Sequence, residues 1–97
     1  MPKLGEIVEK VRSKNAGPFW ITVDIFCGAS DAFATVRDRL MTARVAALYA
    51  TPEETLKRFD IPDLAVVKFS FPRPDPDRPR DMHGASYAAP LAEMELD

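Results

Sequence analysis

The sequence contains one cysteine and one histidine, and this scarcity excludes several kinds of site. A single thiol, Cys27, cannot form an intramolecular disulfide, and without a Cys/His cluster no zinc ribbon can be built. Nothing in the sequence indicates a cofactor. We therefore expect neither a resident metal nor a cofactor.

The sequence also lacks an excess of either charge and any long apolar run. Its 97 residues carry 13 basic and 15 acidic side chains, a formal net charge of −2, and the two signs are interspersed. Such a chain offers no basic surface for nucleic acid and no polybasic patch for a membrane. No apolar run approaches ~18 residues, and no signal-peptide pattern is visible, so we expect a cytoplasmic protein.

What the sequence does contain fits one folded domain over residues 1–97. Hydrophobic residues make up 46% of it, enough for one modest core. Two stretches predict strands. FWITVDIFC alternates from Phe19 onward, and LAVVKFSF, residues 64–71, alternates in the same way. The predicted apolar faces are Phe19, Ile21, Val23 and Ile25 on the first and Ala65, Val67, Phe69 and Phe71 on the second.

Helices are predicted before and between these strands. Leu4, Ile7, Val8 and Val11 recur at helical spacing, which favours an N-terminal helix over a strand across residues 5–11. The region 31–49 predicts two helices that break at Thr42, because its apolar stripe rotates too far for one straight helix. TPEE, residues 51–54, is typical of a further helix start, with Leu56 and Phe59 facing inward.

The C-terminal third predicts little regular structure. A proline-rich arm, residues 72–81, cannot be a helix or a central strand. In the tail, residues 82–97, LAEMEL is compatible with a short edge strand. We therefore expect an α+β fold, with an N-terminal helix and a small antiparallel sheet of two to three strands packed on one face by helices. The other sheet face, which bears Trp20, Thr22, Phe26 and Lys68, is too apolar for solvent and predicts an interface with a partner.

The stretch RSKNAGPFW, residues 12–20, is the first candidate site. It is interpreted either as a plain helix–strand connection or as a loop whose donors bind a carboxylate or phosphate. Arg12, Ser13, Lys14 and Asn15 would supply those donors.

Two further residues are candidates for acid–base chemistry. Asp24 lies in the middle of a strand, where a cross-strand ion pair with Lys68 competes with a role as a site acid or base. His83 follows the proline arm, and a solvated loop histidine is the alternative to a catalytic one.

These segments together resemble a bacterial family. LGEIVEKVRSKNAGPFWITVDIF, TPEETL, VKFSFPRP and HGASYAAPL are similar, along nearly the whole chain, to small proteins that form a domain-of-unknown-function family. Members of that family occur beside, or fused behind, AtuA-like proteins of acyclic terpene utilisation. In the C-terminal match, Ser86, Tyr87 and Ala88 stand where the family has a Gln-Gln-His-like pattern.

The resemblance implies an accessory small subunit of a heteromeric catabolic enzyme with an AtuA-like large subunit. In it, the chain would contribute to binding of an organic acid or acyl-CoA-type substrate. The positions that match the family are Arg12, Ser13, Lys14, Asn15, Gly17, Pro18, Asp24, Pro72, Arg73 and Pro74. Of these, Arg12, Ser13, Lys14, Asn15, Gly17 and Arg73 are the expected substrate-binding residues, and Asp24 and His83 the catalytic candidates. Two alternatives remain, a purely structural interaction module and a small homo-oligomeric enzyme.

Overall fold

A computed structural model describes residues 2–72 and 87–96, and it has an α+β architecture. Within those ranges lie four α-helices, two short 3-10 turns and one antiparallel sheet. The helices are α1 (Leu4–Ile7), α2 (Ser30–Arg39), α3 (Thr42–Leu48) and α4 (Ala88–Ala92); the strands are β1 (Lys10–Asn15), β2 (Trp20–Phe26), β3 (Lys57–Ile61) and β4 (Val66–Pro72). The 3-10 turns are Glu53–Thr55 and Pro62–Leu64.

The sheet has four strands in the order β1-β2-β4-β3, more than the two to three predicted. Strands β2 and β4 are the two predicted from alternation, and they form the centre. Their predicted apolar faces pack against the helices, and the strand side chains at Ile21, Val23, Ile25, Val67, Phe69 and Phe71 are fully buried. Phe19 was wrongly included in that face. It lies in the turn before β2 and is 63% exposed.

The N-terminal helix is only one turn long, and the prediction that it continues to Val11 is wrong. Val8 is already extended, with φ −101° and ψ 167°, and β1 begins two residues later. Pairing with β2 outweighs a weak helical pattern that contains Gly5. Leu4 and Val8 are nevertheless buried, and Ile7 and Val11 pack against the core, so the apolar stripe is used across a helix–strand junction.

The predicted break between two helices is confirmed, since α2 ends at Arg39 and α3 begins at Thr42. The helix predicted from TPEE is wrong. Only the 3-10 turn Glu53–Thr55 forms there, and β3 follows because residues 57–61 pair with β4. Leu56 is buried as expected, whereas Phe59 is 48% exposed.

The described part of the C-terminal tail packs on the core. Tyr87, Leu91 and Leu96 are buried. The edge strand expected from LAEMEL does not form. The helix α4 extends to Ala92, and beyond it one isolated antiparallel β-bridge joins Lys3 to Glu95. Of the proline-rich arm, Pro72 is the last residue of β4, and positions 73–81 lie outside the described residues.

Candidate functional site: the open face of the sheet

One face of the sheet packs against the helices, and the other, called the open face here, presents side chains from all four strands. None of the open-face residues belongs to the main hydrophobic cluster, although Val66 is buried. Because directly opposed residues in antiparallel strands share a face, the register gives three complete cross-strand rows and a partial fourth. From β1 to β3 these rows are Lys10–Phe26–Val66–Ile61, Arg12–Asp24–Lys68–Phe59, Lys14–Thr22–Ser70–Lys57 and, at one end, Trp20–Pro72.

The open face is strongly cationic. Its strand residues include five cations and one carboxylate, a formal charge of +4, whereas the whole chain carries −2. The five cations are Lys10, Arg12, Lys14, Lys57 and Lys68. Positive charge is thus concentrated on the one sheet face that the helices leave uncovered. A surface of this kind attracts an anionic ligand or an acidic partner surface.

Two of these cations lie over aromatic rings of the same face. The Lys10 ammonium is 5.2 Å from the centroid of the Phe26 ring, and the Lys57 ammonium is 5.4 Å from the centroid of Trp20. Each contact holds a charge above the sheet while its aliphatic stem covers apolar surface. The rows therefore combine hydrophobic contact area with positive charge.

Two polar atoms of the open face are buried without a hydrogen-bond partner among the described residues. These are Thr22 Oγ1 and Asp24 Oδ1. Lys68 is directly opposite Asp24 in the register, as the predicted cross-strand pair requires, and Arg12 is opposite it on the other side. No ion pair within 4.0 Å joins Asp24 to either cation in the described part of the chain. The expected Asp24–Lys68 ion pair is therefore not formed, and the Asp24 carboxylate is left with unused acceptor capacity.

The predicted binding residues in RSKNAGPFW do not converge on one loop. They form the second half of β1 and a hairpin turn, so neither the helix–strand connection nor the anion-binding loop describes them. Strand alternation sends Arg12 and Lys14 to the open face and turns Ser13 and Asn15 towards the helices. Gly17 lies in the turn with φ +85°, a backbone conformation that glycine adopts without strain. The structure thus gives Gly17 a role in the turn, and its expected role in binding stays a prediction.

The Ser13 hydroxyl is likewise buried without a hydrogen-bond partner among the described residues. Of the remaining candidates, Arg73 and His83 lie outside the described residues.

A small depression lies on the β1 side of this face. It has a volume of about 120 Å³ and is lined by Arg12, Ser13, Lys14, Asp24 and Phe26. Pockets that enclose drug-sized ligands measure roughly 300–1,000 Å³. The depression can therefore receive one carboxylate or phosphate group, while a larger molecule would need a second surface to cover it.

The sequence interpretation missed part of this face. Lys10, Lys57 and Phe59 were not considered as site residues, because residues 4–11 and 51–59 were assigned to helices. The signal was present in KVRSKN and KRFDI, where cationic or aromatic residues alternate with residues that face the helices. Period-two alternation of cations would have identified β1, whereas β3 carries charges on both of its faces and lacks that pattern.

Other chemistry is sparse in the described residues. Cys27 is buried, and desolvation raises the pKa of its thiol, which disfavours the reactive thiolate. Across residues 2–72 and 87–96, no three His, Cys, Asp or Glu side chains are grouped so as to hold a metal ion. The same ranges contain no helix long and apolar enough to cross a membrane.

Comparison with protein families gives a match for this chain. Residues 4–95 match the family described as "Domain of unknown function (DUF4387)", which covers almost the whole chain. The chain belongs to this DUF4387 family. Searches of curated proteins and of solved structures gave no match. The DUF4387 match includes all four strands, and hence the complete open face.

Proposed function

We propose that this DUF4387 chain is an accessory small subunit whose open face docks on a larger catabolic enzyme. There it helps to bind the acidic group of an organic acid or acyl-CoA-type substrate. The observation that carries the proposal is the uncovered sheet face with a formal charge of +4 and two buried polar atoms without partners. A partner surface would cover the apolar part of that face.

Arg12 and Lys14 are the residues assigned to the acidic group. They are exposed, adjacent on the open face, and both line the depression beside Asp24. Arginine binds carboxylate or phosphate in bidentate geometry, and lysine adds a point charge. Because the depression holds only one such group, the rest of a substrate would lie against the larger subunit. This favours a site shared between two proteins over a self-contained one.

For the larger subunit we propose an AtuA-like protein. Support comes from the resemblance of RSKNAGPF and of the Pro72-Arg73-Pro74 exit to proteins that occur beside or fused to AtuA-like proteins. In such an assembly Asp24 is the candidate acid or base, since its carboxylate has acceptor capacity that no described residue uses.

A second candidate function is a purely structural interaction module. It is favoured by the position of Arg12 and Lys14 on β1, a strand at the edge of the sheet. Cations on an edge strand also prevent pairing with other chains and need not bind a substrate. In this case Arg12 and Lys14 would hold the assembly together or keep the chain soluble.

Co-expression with an AtuA-like large subunit separates these functions. The test variant is Arg12→Ala/Lys14→Ala, and the matched control is Lys3→Ala/Arg44→Ala, which removes the same charge away from the open face. Complex formation is measured by native mass spectrometry, and turnover is measured with a panel of organic acids and acyl-CoA thioesters.

We expect the test variant to form an intact complex whose KM is at least about tenfold higher than that of the wild type. The reason is that charge-assisted hydrogen bonds contribute roughly 1.5–3 kcal/mol each. Loss of the complex would instead support the structural module. Wild-type behaviour of the test variant in both assays would contradict substrate binding by Arg12 and Lys14 and would show that they do not hold the assembly together.

A further inference from the structure

Strand β3 is an outer strand of the sheet, and it has an unusual centre for an edge. Natural edge strands are commonly protected by charges, prolines or bulges against pairing with another chain. Strand β3 carries three charges of this kind, Lys57, Arg58 and Asp60, yet its middle residue is Phe59, which is 48% exposed. Among the described residues, only β4 pairs with β3, and no described strand pairs with its outer edge.

We propose that two copies of this chain pair through β3, antiparallel and centred on Phe59. Two-fold pairing places residues on one strand opposite residues on the other in reverse order. Phe59 then lies opposite the partner's Phe59, and Arg58 lies opposite the partner's Asp60, twice over. The aromatic pair is on the open face, and both Arg–Asp pairs are on the helix side.

The charges select this register over its neighbours. A two-fold pairing centred on Arg58 places the two Arg58 guanidinium groups against each other. A pairing centred on Asp60 does the same with two carboxylates. Like charges directly opposed across strands are destabilising, whereas opposite charges and aromatic pairs are favourable. Within β3, the centre at Phe59 therefore satisfies every charged residue that lies between Lys57 and Ile61.

Arg58 is held in a fixed position on the helix side of β3. Its guanidinium donates to the Leu40 carbonyl oxygen at 2.6 Å and to the Arg37 carbonyl oxygen at 3.2 Å, and its Nε donates to Asp60 Oδ1 at 2.9 Å. The Asp60 side chain is 34% exposed. Two-fold pairing would place two preformed Arg58–Asp60 pairs beside each other, and the Arg58 side chains, which are already fixed, would have little entropy to lose.

Pairing through the open faces is disfavoured by the same reasoning, because it would bring two surfaces of formal charge +4 together. Edge pairing instead extends the sheet from four strands to eight. Both open faces stay accessible and lie on the same side of the eight-stranded sheet. The proposal is independent of the function proposed above, since it needs no large subunit and no substrate.

Phe59→Lys, Phe59→Glu and their equimolar mixture test the pairing and its register. Phe59 is exposed in the single chain, so neither variant disturbs the core. The control is Phe19→Lys, which changes another exposed phenylalanine, 63% exposed, in the β1–β2 turn. Each full-length chain is studied by sedimentation equilibrium up to roughly 100 µM and by native mass spectrometry.

We expect wild type and Phe19→Lys to form dimers that dissociate on dilution. Phe59→Lys and Phe59→Glu should each dimerise at least about tenfold more weakly, and the mixture should form a heterodimer, because only this register places residue 59 opposite itself. A monomeric wild type, an unaffected Phe59→Lys dimer, or a mixture that stays monomeric would each overturn the proposal.

Discussion

Replacing Thr22 by valine should stabilise the isolated chain, although it removes a polar group from a protein surface. Thr22 is only 7% exposed, and its hydroxyl has no hydrogen-bond partner among the described residues. In the unfolded chain water satisfies that hydroxyl, so folding leaves it unpaired. Mutational data put the cost of burying such a group at about 1–3 kcal/mol.

Valine has nearly the same shape as threonine, is also β-branched, and suits a central strand. We therefore expect the free energy of unfolding to rise by about 1 kcal/mol, at the low end of that range because the isolated chain can relax around the hydroxyl. For a domain of this size, 1 kcal/mol corresponds to an increase in Tm of about 4–8 °C.

Urea unfolding and calorimetry of the single chain measure the effect. The matched control is Thr55→Val, the same chemical change where the hydroxyl has a partner, since Thr55 Oγ1 donates to the Pro52 carbonyl oxygen at 2.9 Å. The control should lose about 0.5–1.5 kcal/mol. If Thr22→Val lowers the free energy of unfolding by as much as the control does, the reasoning is refuted, because the Thr22 hydroxyl must then have a hydrogen-bond partner in the free chain.

Two further changes test how the helices and the tail are attached to the sheet. Arg58→Ala should lower the free energy of unfolding by about 3 kcal/mol, because the Leu40 and Arg37 carbonyl oxygens near the end of α2 lose their donor. It is measured by urea unfolding in the Phe59→Lys background, so that pairing through β3 does not contribute, and a loss below 1 kcal/mol would contradict it. The Tyr49 hydroxyl donates to the Tyr87 carbonyl oxygen at 2.5 Å, and burial raises the pKa of Tyr49 above its ordinary value near 10. Since the folded state holds this proton more tightly, stability should be constant with respect to Tyr49 below pH 10 and should fall as the pH rises above it. Tyr49→Phe should remove this loss of stability above pH 10, and it should lower the free energy of unfolding at pH 7 by about 1–2 kcal/mol. If the free energy of unfolding, measured with urea, falls equally steeply between pH 9 and 11 in this variant, Tyr49 is not the origin of the pH dependence.

The central strands could be predicted from sequence because their signal is strong and local. In β2 and β4, large apolar residues alternate over the full strand, and burial of one face makes that pattern unavoidable. The helix break at Thr42 was equally visible, since the apolar stripe changes direction there. The formation of these elements depends mainly on which apolar side chains must be buried.

The edge strands could not be predicted in this way, because few of their side chains are buried. β1 contains no buried residue and β3 none either, so apolar periodicity gave no strand signal. Capping residues at 51–54 indicated a helix, but pairing of the following residues with β4 limits it to one 3-10 turn. Tertiary pairing overrode local propensity at both edges.

The same difference explains the partial prediction of the site. Arg12, Lys14 and Asp24 were identified as candidates, and the register brings them onto one face. Ser13 and Asn15 were grouped with them on the assumption of a loop and on the family resemblance, and alternation turns them to the other face once β1 is a strand. Lys68 was expected on this face opposite Asp24, and the register places it there, whereas Lys57 joins from β3, which was assigned to a helix.

The two proposed contacts use different directions of the same sheet, so they are compatible. Pairing through β3 runs along the hydrogen-bonding direction, whereas the open face points perpendicular to the sheet. In a pair of chains, the two Arg12–Asp24–Lys68–Phe59 rows would join at Phe59 into one continuous row, with both sets of cations on the same side. That arrangement doubles the positive charge presented to one partner surface and increases electrostatic attraction for an acidic one. A symmetric large subunit with two acidic docking surfaces would then bind both copies at once, and the second contact would form at high effective concentration.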